Sequence, residues 1–102
     1  MKLHWTLSAI NDLGSIRDYI ARDSQIYADS FIEKIFIAVE KLDVFPEIGR
    51  KVNETNNPKI RELIFQNYRI IYRIQKEVIQ ILAVIHGSRE INNLSKKPWD
   101  IV

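Results

Sequence analysis

The chain of 102 residues contains no cysteine. Neither disulfide bonds nor thiolate-bound metal can therefore stabilise its fold. This composition suits a reducing compartment, and we expect the protein to act in the cytoplasm. No apolar run approaches the ~20 residues that a membrane-spanning helix needs, so no membrane partner is expected. The N-terminus also lacks the apolar stretch and small-residue cleavage site of a secretory signal peptide.

Sequence motifs of several enzyme classes are missing as well. The chain has no H-E-x-x-H metal motif, no glycine-rich phosphate loop, no paired catalytic carboxylates and no serine-nucleophile elbow. We therefore expect neither a metal site nor a cofactor. With 46% hydrophobic residues, a chain of this length can form one core. This predicts one domain over residues 1–102, in which residues 91–102 are a C-terminal tail.

The two halves of the chain differ in charge. Residues 1–50 carry a net charge of −2, whereas residues 51–102 carry +4. Such asymmetry favours an anionic partner for the second half, either nucleic acid or an acidic protein segment. Ordinary scatter of surface charge is the alternative interpretation.

The first half has mainly helical periodicity. Residues 2–6 are predicted to form a short strand, and Ser8 is placed to cap a helix over about 9–22. Ser24 can cap a second helix that continues to about Phe45, where the following proline ends it. Apolar residues recur at three- and four-residue spacing in both segments. The pattern therefore predicts an antiparallel helix hairpin.

The second half has the alternation of β-strands, which we place at about 59–65, 68–75 and 78–86. The last of these is nearly all apolar, which predicts an interior strand that is covered on both faces. Residues 66–67 form a credible tight turn, because asparagine tolerates positive φ. The polar segment 46–58 is expected to be irregular and mobile. The predicted class is α+β: an N-terminal strand, a two-helix hairpin and a three-stranded antiparallel meander.

Several cations could converge on an anionic partner. They are Arg50, Lys51, Arg61, Arg69, Arg73 and Arg89. The planar guanidinium of arginine suits a phosphate or a carboxylate. The alternative is that Arg69 or Arg73 pairs with an acidic residue of the helices and packs its stem on the sheet.

Cleavage of RNA would further require a group that takes the proton from a 2′-hydroxyl. His86 is the first candidate, because it stands at a strand end three residues before Arg89. Glu62, Glu90 and His4 are weaker candidates. A lone histidine at a strand end is also commonly structural. If the chain is a nuclease, its expected catalytic residues are His86, Arg89, Arg50 and Lys51.

Three apolar residues are candidates for contact with a partner. Phe36 and Ile37 widen the apolar arc of the second helix, which indicates either a partner helix or a broad core face. Trp99 stands in the tail, where a chain end is normally polar. It either folds back on the domain or is presented to a partner.

Four segments carry a resemblance to a known family. They are "WTLSAINDLGSIRDYIARDS", "KLDVFPEIGRKV", "IRELIFQNYRIIYRI" and "VIQILAVIHGSRE", and they cover about residues 3–90. Together with the predicted order of elements, they resemble the RelE/ParE superfamily of bacterial type II toxins. The resemblance implies a growth-inhibiting toxin. It also implies a cognate antitoxin that wraps an extended or helical segment around the toxin in a hetero-oligomer.

The superfamily has two kinds of target. RelE-like members cut mRNA on the ribosome with basic residues and, often, a C-terminal tyrosine. Here Arg89 matches a catalytic arginine position, but Ser95 stands where the tyrosine is expected, and Ile64 falls near a basic strand position. The long helix hairpin and "FPEIGR" look more like ParE, whose members inhibit DNA gyrase without nuclease activity. We therefore expect a ParE-like gyrase inhibitor. A ribosome-dependent mRNA endonuclease and a non-toxic antitoxin-binding module are the alternatives.

Overall fold

A computed structural model describes residues 1–100 of the chain. Its strands are β1 (Lys2–Trp5), β2 (Arg50–Lys51), β3 (Ile60–Phe65), β4 (Tyr68–Gln75) and β5 (Val78–His86). Its helices are α1 (Leu7–Ala21) and α2 (Gln25–Glu40), and short 3₁₀ turns cover Lys41–Asp43, Ile91–Asn93 and Pro98–Asp100. The predicted α+β architecture is confirmed. Within residues 1–100 neither helix has the length and apolarity to cross a membrane.

The N-cap of α1 is Thr6. Its hydroxyl oxygen accepts from the backbone N–H of Ala9 at 3.2 Å and donates to the carbonyl of Ile81 at 2.8 Å. The predicted cap at Ser8 is therefore wrong, and Ser8 lies in the first turn of the helix. Thr6 is the better cap because one buried hydroxyl both satisfies the helix terminus and joins the helix to β5.

The predicted cap of α2 is confirmed. The Ser24 hydroxyl oxygen accepts from the backbone N–H of Tyr27 at 3.1 Å. The helix ends at Glu40 and continues as a 3₁₀ turn to Asp43, so it is shorter than the predicted end at Phe45. Tightening of the last turn in this way is common where the final carbonyls lack helical partners.

The strands form one sheet in the order β1-β5-β4-β3-β2. Strand β1 pairs with β5 in parallel, and the other neighbours are antiparallel. Strand β2 pairs Arg50 with Glu62 and Lys51 with Arg61. The prediction that 46–58 is wholly irregular is therefore wrong. A two-residue strand is too short to give an alternation signal.

Each face of the sheet has its own apolar cluster. The helix hairpin covers one face, where its buried residues pack on Ile70, Tyr72, Ile79, Ile81 and Val84. The opposite face, called the outer face from here on, carries Val52, Ile60, Ile71, Leu82, Ala83, Ile85 and Ile91. Strand β5 contributes to both clusters, which confirms the prediction of a strand buried on both sides.

A β-bulge interrupts the pairing of β4 with β5. Ile71 lies opposite Ala83 and Tyr72 opposite Ile81, so Leu82 is an extra residue in β5. Leu82 and Ala83 consequently both pack on the outer face. The bulge shifts the alternation of side chains, and Val84 returns to the helix-covered face.

The turn between β3 and β4 lies where it was predicted. Its residue with positive φ is Gln66, at 52°, and not the neighbouring asparagine. The turn between β4 and β5 likewise holds Lys76 at a φ of 45°.

Candidate functional site

Two arginines and two glutamates form a continuous ionic network on the outer face. The Nη1 and Nη2 atoms of Arg69 donate to the two carboxylate oxygens of Glu54, each at 2.8 Å. Its Nε donates to Glu62 at 2.6 Å, and the Nε of Arg50 donates to the other oxygen of Glu62 at 2.7 Å. Glu62 is 2% exposed. The network therefore surrounds a buried carboxylate with two guanidinium groups.

The network shifts the pKa of two of its members, Glu54 and Arg69. Hydrogen bonds from Arg69 hold the pKa of Glu54 below its ordinary range. The same bonds to Glu54, with those to Glu62, raise the pKa of Arg69. Arg69 therefore pairs with acidic residues, as the alternative interpretation predicted, and Arg50 does so as well. Their acidic partners come from β3 and from the loop before it, and not from the helices.

The alternation of side chains along β3 already indicates that Glu62 is buried. Ile60 and Glu62 share one face of the strand, and Ile60 belongs to the outer-face cluster. A carboxylate at a buried strand position requires cationic partners. That requirement could have identified Glu62 as an ion-pair residue before the structure was known.

Arg61 and Arg73 make separate contacts. The Nη1 of Arg61 donates to the carbonyl of Gly49 at 2.8 Å, which ties β3 to the loop before β2. The Nη2 of Arg73 donates to the carbonyl of Trp99. The predicted cations are thus distributed over different sites, and Lys51 is exposed on β2.

His86 is exposed at the end of β5. Its Nδ1 lies 2.7 Å from the Ser88 hydroxyl oxygen and accepts from the Ser88 backbone N–H at 3.2 Å. The ring stands edge-on to Tyr68, with centroids 5.3 Å apart. Because Nδ1 accepts a hydrogen bond from Ser88, the neutral ring carries its proton on the other nitrogen, Nε2, which is the donor left for a partner.

Arg89 and His86 border a depression of about 300 Å³ beside α1. Asp12 lies in the same depression, and its Oδ2 accepts from the backbone N–H of Val84 at 2.9 Å. Burial raises the pKa of Asp12, and the Val84 N–H and the charge of Arg89 oppose that rise. The Asp12 carboxyl group thus accepts from a backbone N–H of β5 at a point where β1 has ended and no longer pairs with β5.

The four nuclease candidates do not share one site. Arg50 lines a depression of about 380 Å³ with the ionic network, and His86 borders both that depression and the one at Arg89. Lys51 lines neither of them. Across residues 1–100, no three histidine, aspartate or glutamate side chains are grouped as metal ligands.

An apolar groove of about 380 Å³ runs between α2 and β3. It is lined by Lys34, Ile37, Ala38, Lys41, Ile48, Leu63, Ile64 and Phe65, and we call it the α2–β3 groove. Ile37 is 52% exposed there, whereas Phe36 packs against Trp5 with ring centroids 5.0 Å apart. The sequence identified Ile37 but missed Ile48 and Ile64.

Trp99 folds back on the domain, as one of its two interpretations predicted. It is partly buried against the outer-face cluster, and its carbonyl accepts from Arg73. The end of the predicted tail, residues 101–102, lies outside the described residues.

Comparisons with known proteins agree with the fold. The family model described as "ParE toxin of type II toxin-antitoxin system, parDE" matches residues 3–91. The chain is 33% identical over 86 residues to Toxin RelE2 of Caulobacter vibrioides, covering 83% of this chain and 93% of that protein. It is also 33% identical over 93 residues to Putative toxin Y4kP of Sinorhizobium fredii, covering 87% and 91%.

A solved structure described as "Chromosomal ParDE TA system from P. aeruginosa" superposes with a TM-score of 0.70 at 26% identity. The match covers 84% of this chain and 95% of that one. These findings confirm the resemblance to the RelE/ParE superfamily. The chain belongs to the ParE toxin family of type II toxin–antitoxin systems.

Proposed function

We propose that this toxin arrests growth by acting on DNA gyrase, and that it does not cut mRNA. The observation that carries the proposal is the ionic network on the outer face. Arg69 donates three hydrogen bonds to Glu54 and Glu62, and the Nε of Arg50 donates one to Glu62. Cleavage of a phosphodiester needs cations aimed at the charge that develops on the phosphate. Arginines bound to carboxylates are poorly placed to supply that stabilisation.

Two other positions support the same proposal. Ile64 is apolar and half exposed near the position where RelE-like enzymes carry a cation. Ser95 stands where their tyrosine is expected, and residues 91–102 contain no tyrosine. A gyrase target would place the action of the toxin in the cytoplasm.

The second candidate function is a ribosome-dependent mRNA endonuclease. The pair His86 and Arg89 favours it, because both are exposed and border one depression. The imidazole Nε2–H could donate a hydrogen bond to the leaving oxygen while the guanidinium binds a phosphate. Asp12 in the same depression reduces the positive charge there, which is why we rank this function second.

We further propose that the cognate antitoxin covers the α2–β3 groove. Ile37 and Ile64 present apolar surface, and Lys34 beside them favours an acidic segment. Strand β2 pairs with β3 only at Arg61 and Glu62. The rest of that β3 edge is therefore open to an added extended segment.

Induction of the toxin in cells without antitoxin tests the proposal. We expect growth arrest, loss of plasmid supercoiling and unchanged mRNA 5′ ends on ribosomes. His86→Ala and Arg89→Ala should retain the arrest, since neither residue has a catalytic role in the gyrase account. Codon-specific mRNA cuts that vanish in either variant would replace the proposal with the endonuclease. Normal growth at confirmed expression would contradict both toxin mechanisms.

A further inference from the structure

A second, larger depression lies on the outer face, at the end of the sheet near the β4–β5 turn. Its floor is a row across three strands, in which His4 lies opposite Gln80 and Gln80 lies opposite Arg73. The depression measures about 900 Å³. Its lining also includes Lys59, Lys76 and Trp99. We call it the basic cleft.

The basic cleft differs in charge from the ionic network on the same face. Lys59 and Lys76 are exposed, Arg73 is partly exposed, and no carboxylate of residues 1–100 belongs to the lining. At the other depression, each arginine of the lining is bound to Glu54 or Glu62. The basic cleft therefore gathers three cations without a carboxylate among its lining residues, whereas the cations of the other depression are bound to carboxylates.

The floor of the cleft contains polar atoms without partners. The Nε of Arg73 and the Oε1 of Gln80 are both buried, and neither is hydrogen-bonded within residues 1–100. A buried donor and a buried acceptor left unpaired are costly. They make the floor of the cleft more polar than an ordinary apolar surface.

Trp99 adds an aromatic wall to these polar groups. It is partly buried against the outer-face cluster, and Arg73 binds its carbonyl, so the backbone that carries the ring is held on the domain. An aromatic ring beside several cations is the combination that binds single-stranded nucleic acid. The base stacks on the ring, and the cations bind the phosphates. The volume of about 900 Å³ can hold one or two nucleotides.

We propose that the basic cleft binds a nucleotide segment of single-stranded nucleic acid. The base stacks on Trp99, Lys59 and Lys76 bind the flanking phosphates, and the amide of Gln80 lies beneath the base edge. An acidic peptide would use the two lysines but has no need of the tryptophan face. The proposal holds whether or not gyrase is the target of the toxin, because it rests only on the cleft.

Fluorescence anisotropy with a fluorescein-labelled twelve-nucleotide oligothymidylate and the full chain tests this proposal. We expect binding at 50 mM salt that weakens steeply towards 200 mM. The double variant Lys59→Gln/Lys76→Gln should weaken binding about tenfold and flatten the slope of log K against log salt by about 1.4, for two lost phosphate contacts. The matched control Lys34→Gln/Lys41→Gln removes the same charge at the α2–β3 groove and should leave affinity within about twofold.

A second variant examines stacking. Trp99→Leu should weaken oligonucleotide binding about 5- to 150-fold. If circular dichroism shows that this variant does not fold, the comparison of the two lysine double variants still tests whether the cleft binds the oligonucleotide. Three results would overturn the proposal: no binding at 50 mM salt, equal losses in both lysine pairs, or displacement of the oligonucleotide by a twelve-residue polyglutamate at equal charge concentration.

Discussion

The backbone N–H of Gly49 donates a 3.0 Å hydrogen bond to the phenolic oxygen of Tyr72, and that hydroxyl donates to the carbonyl of Pro46 at 2.7 Å. Tyr72 is fully buried in β4, and burial raises its pKa. A Cβ at position 49 would lie 2.5 Å from the tyrosine oxygen and 2.7 Å from the Glu62 carbonyl. One buried hydroxyl thus holds the loop that delivers Arg50 to the sheet.

Removing this hydroxyl should destabilise the fold. Tyr72→Phe leaves the Gly49 N–H and the Pro46 carbonyl without their partner in a buried setting, which costs about 1–3 kcal/mol of unfolding free energy. Urea denaturation measures the change. The control is Tyr27→Phe, whose ring is 52% exposed and which should change stability little. Equal stability of the two variants would show that the hydroxyl does not hold the loop.

The buried carboxylate of the ionic network is the subject of a second prediction. Glu62→Gln keeps the size of the side chain but removes the charge that Arg50 and Arg69 share. Because hydrogen bonds between charged groups contribute about 1.5–3 kcal/mol, we expect a loss of that size in urea unfolding. Glu33→Gln, at an exposed position of α2, is the matched control. A neutral effect of Glu62→Gln would mean that desolvation cancels the pairing.

The other carboxylate of the network should make stability depend on pH. Folding lowers the pKa of Glu54 through Arg69, so its contribution is fully present above its unfolded pKa, about 4.3. The contribution is lost as pH falls through the lower, folded value. Wild type should therefore exceed Glu54→Gln in stability at pH 6, and the difference should shrink below pH 4.3. Chemical denaturation at several pH values measures it, and a constant difference would contradict the assigned ion pair.

Periodicity predicted the architecture because each helix buries one apolar stripe, and each long strand shows either alternation or an unbroken apolar run. It did not predict features that depend on contacts across the fold. Thr6 is the cap of α1 because β5 offers it a carbonyl, and the sequence alone favours Ser8 equally well. The bulge at Leu82 lies hidden in an all-apolar strand, where alternation gives no signal.

The candidate site was less predictable than the fold. The sequence identifies the arginines but not their partners, because Glu54 and Arg69 meet only when the loop closes on the outer face. The basic cleft is similarly hidden. His4 is distant in sequence from Gln80 and Arg73, and it becomes their neighbour only through the parallel pairing of β1 with β5.

Antitoxin binding at the α2–β3 groove gives a fourth prediction. Ile37→Glu places a charge in the apolar groove and should weaken the complex with the cognate antitoxin by about 2 kcal/mol or more. Isothermal titration calorimetry measures the affinity. Ile26→Glu introduces the same charge at a position of α2 that is 85% exposed and outside the groove lining, so it should bind normally. Equal affinities of the two variants for the antitoxin would indicate that it binds at another surface of the toxin.

The most direct test of the proposed mechanism is a supercoiling assay with purified gyrase and relaxed plasmid. We predict that stoichiometric toxin blocks negative supercoiling or traps cleaved DNA, and that the antitoxin reverses the effect. Glu62→Gln, if folded, should retain the inhibition, because the network is not a catalytic centre in this account. Full supercoiling at a large excess of toxin, with cleavage of ribosome-bound mRNA by the same preparation, would contradict it.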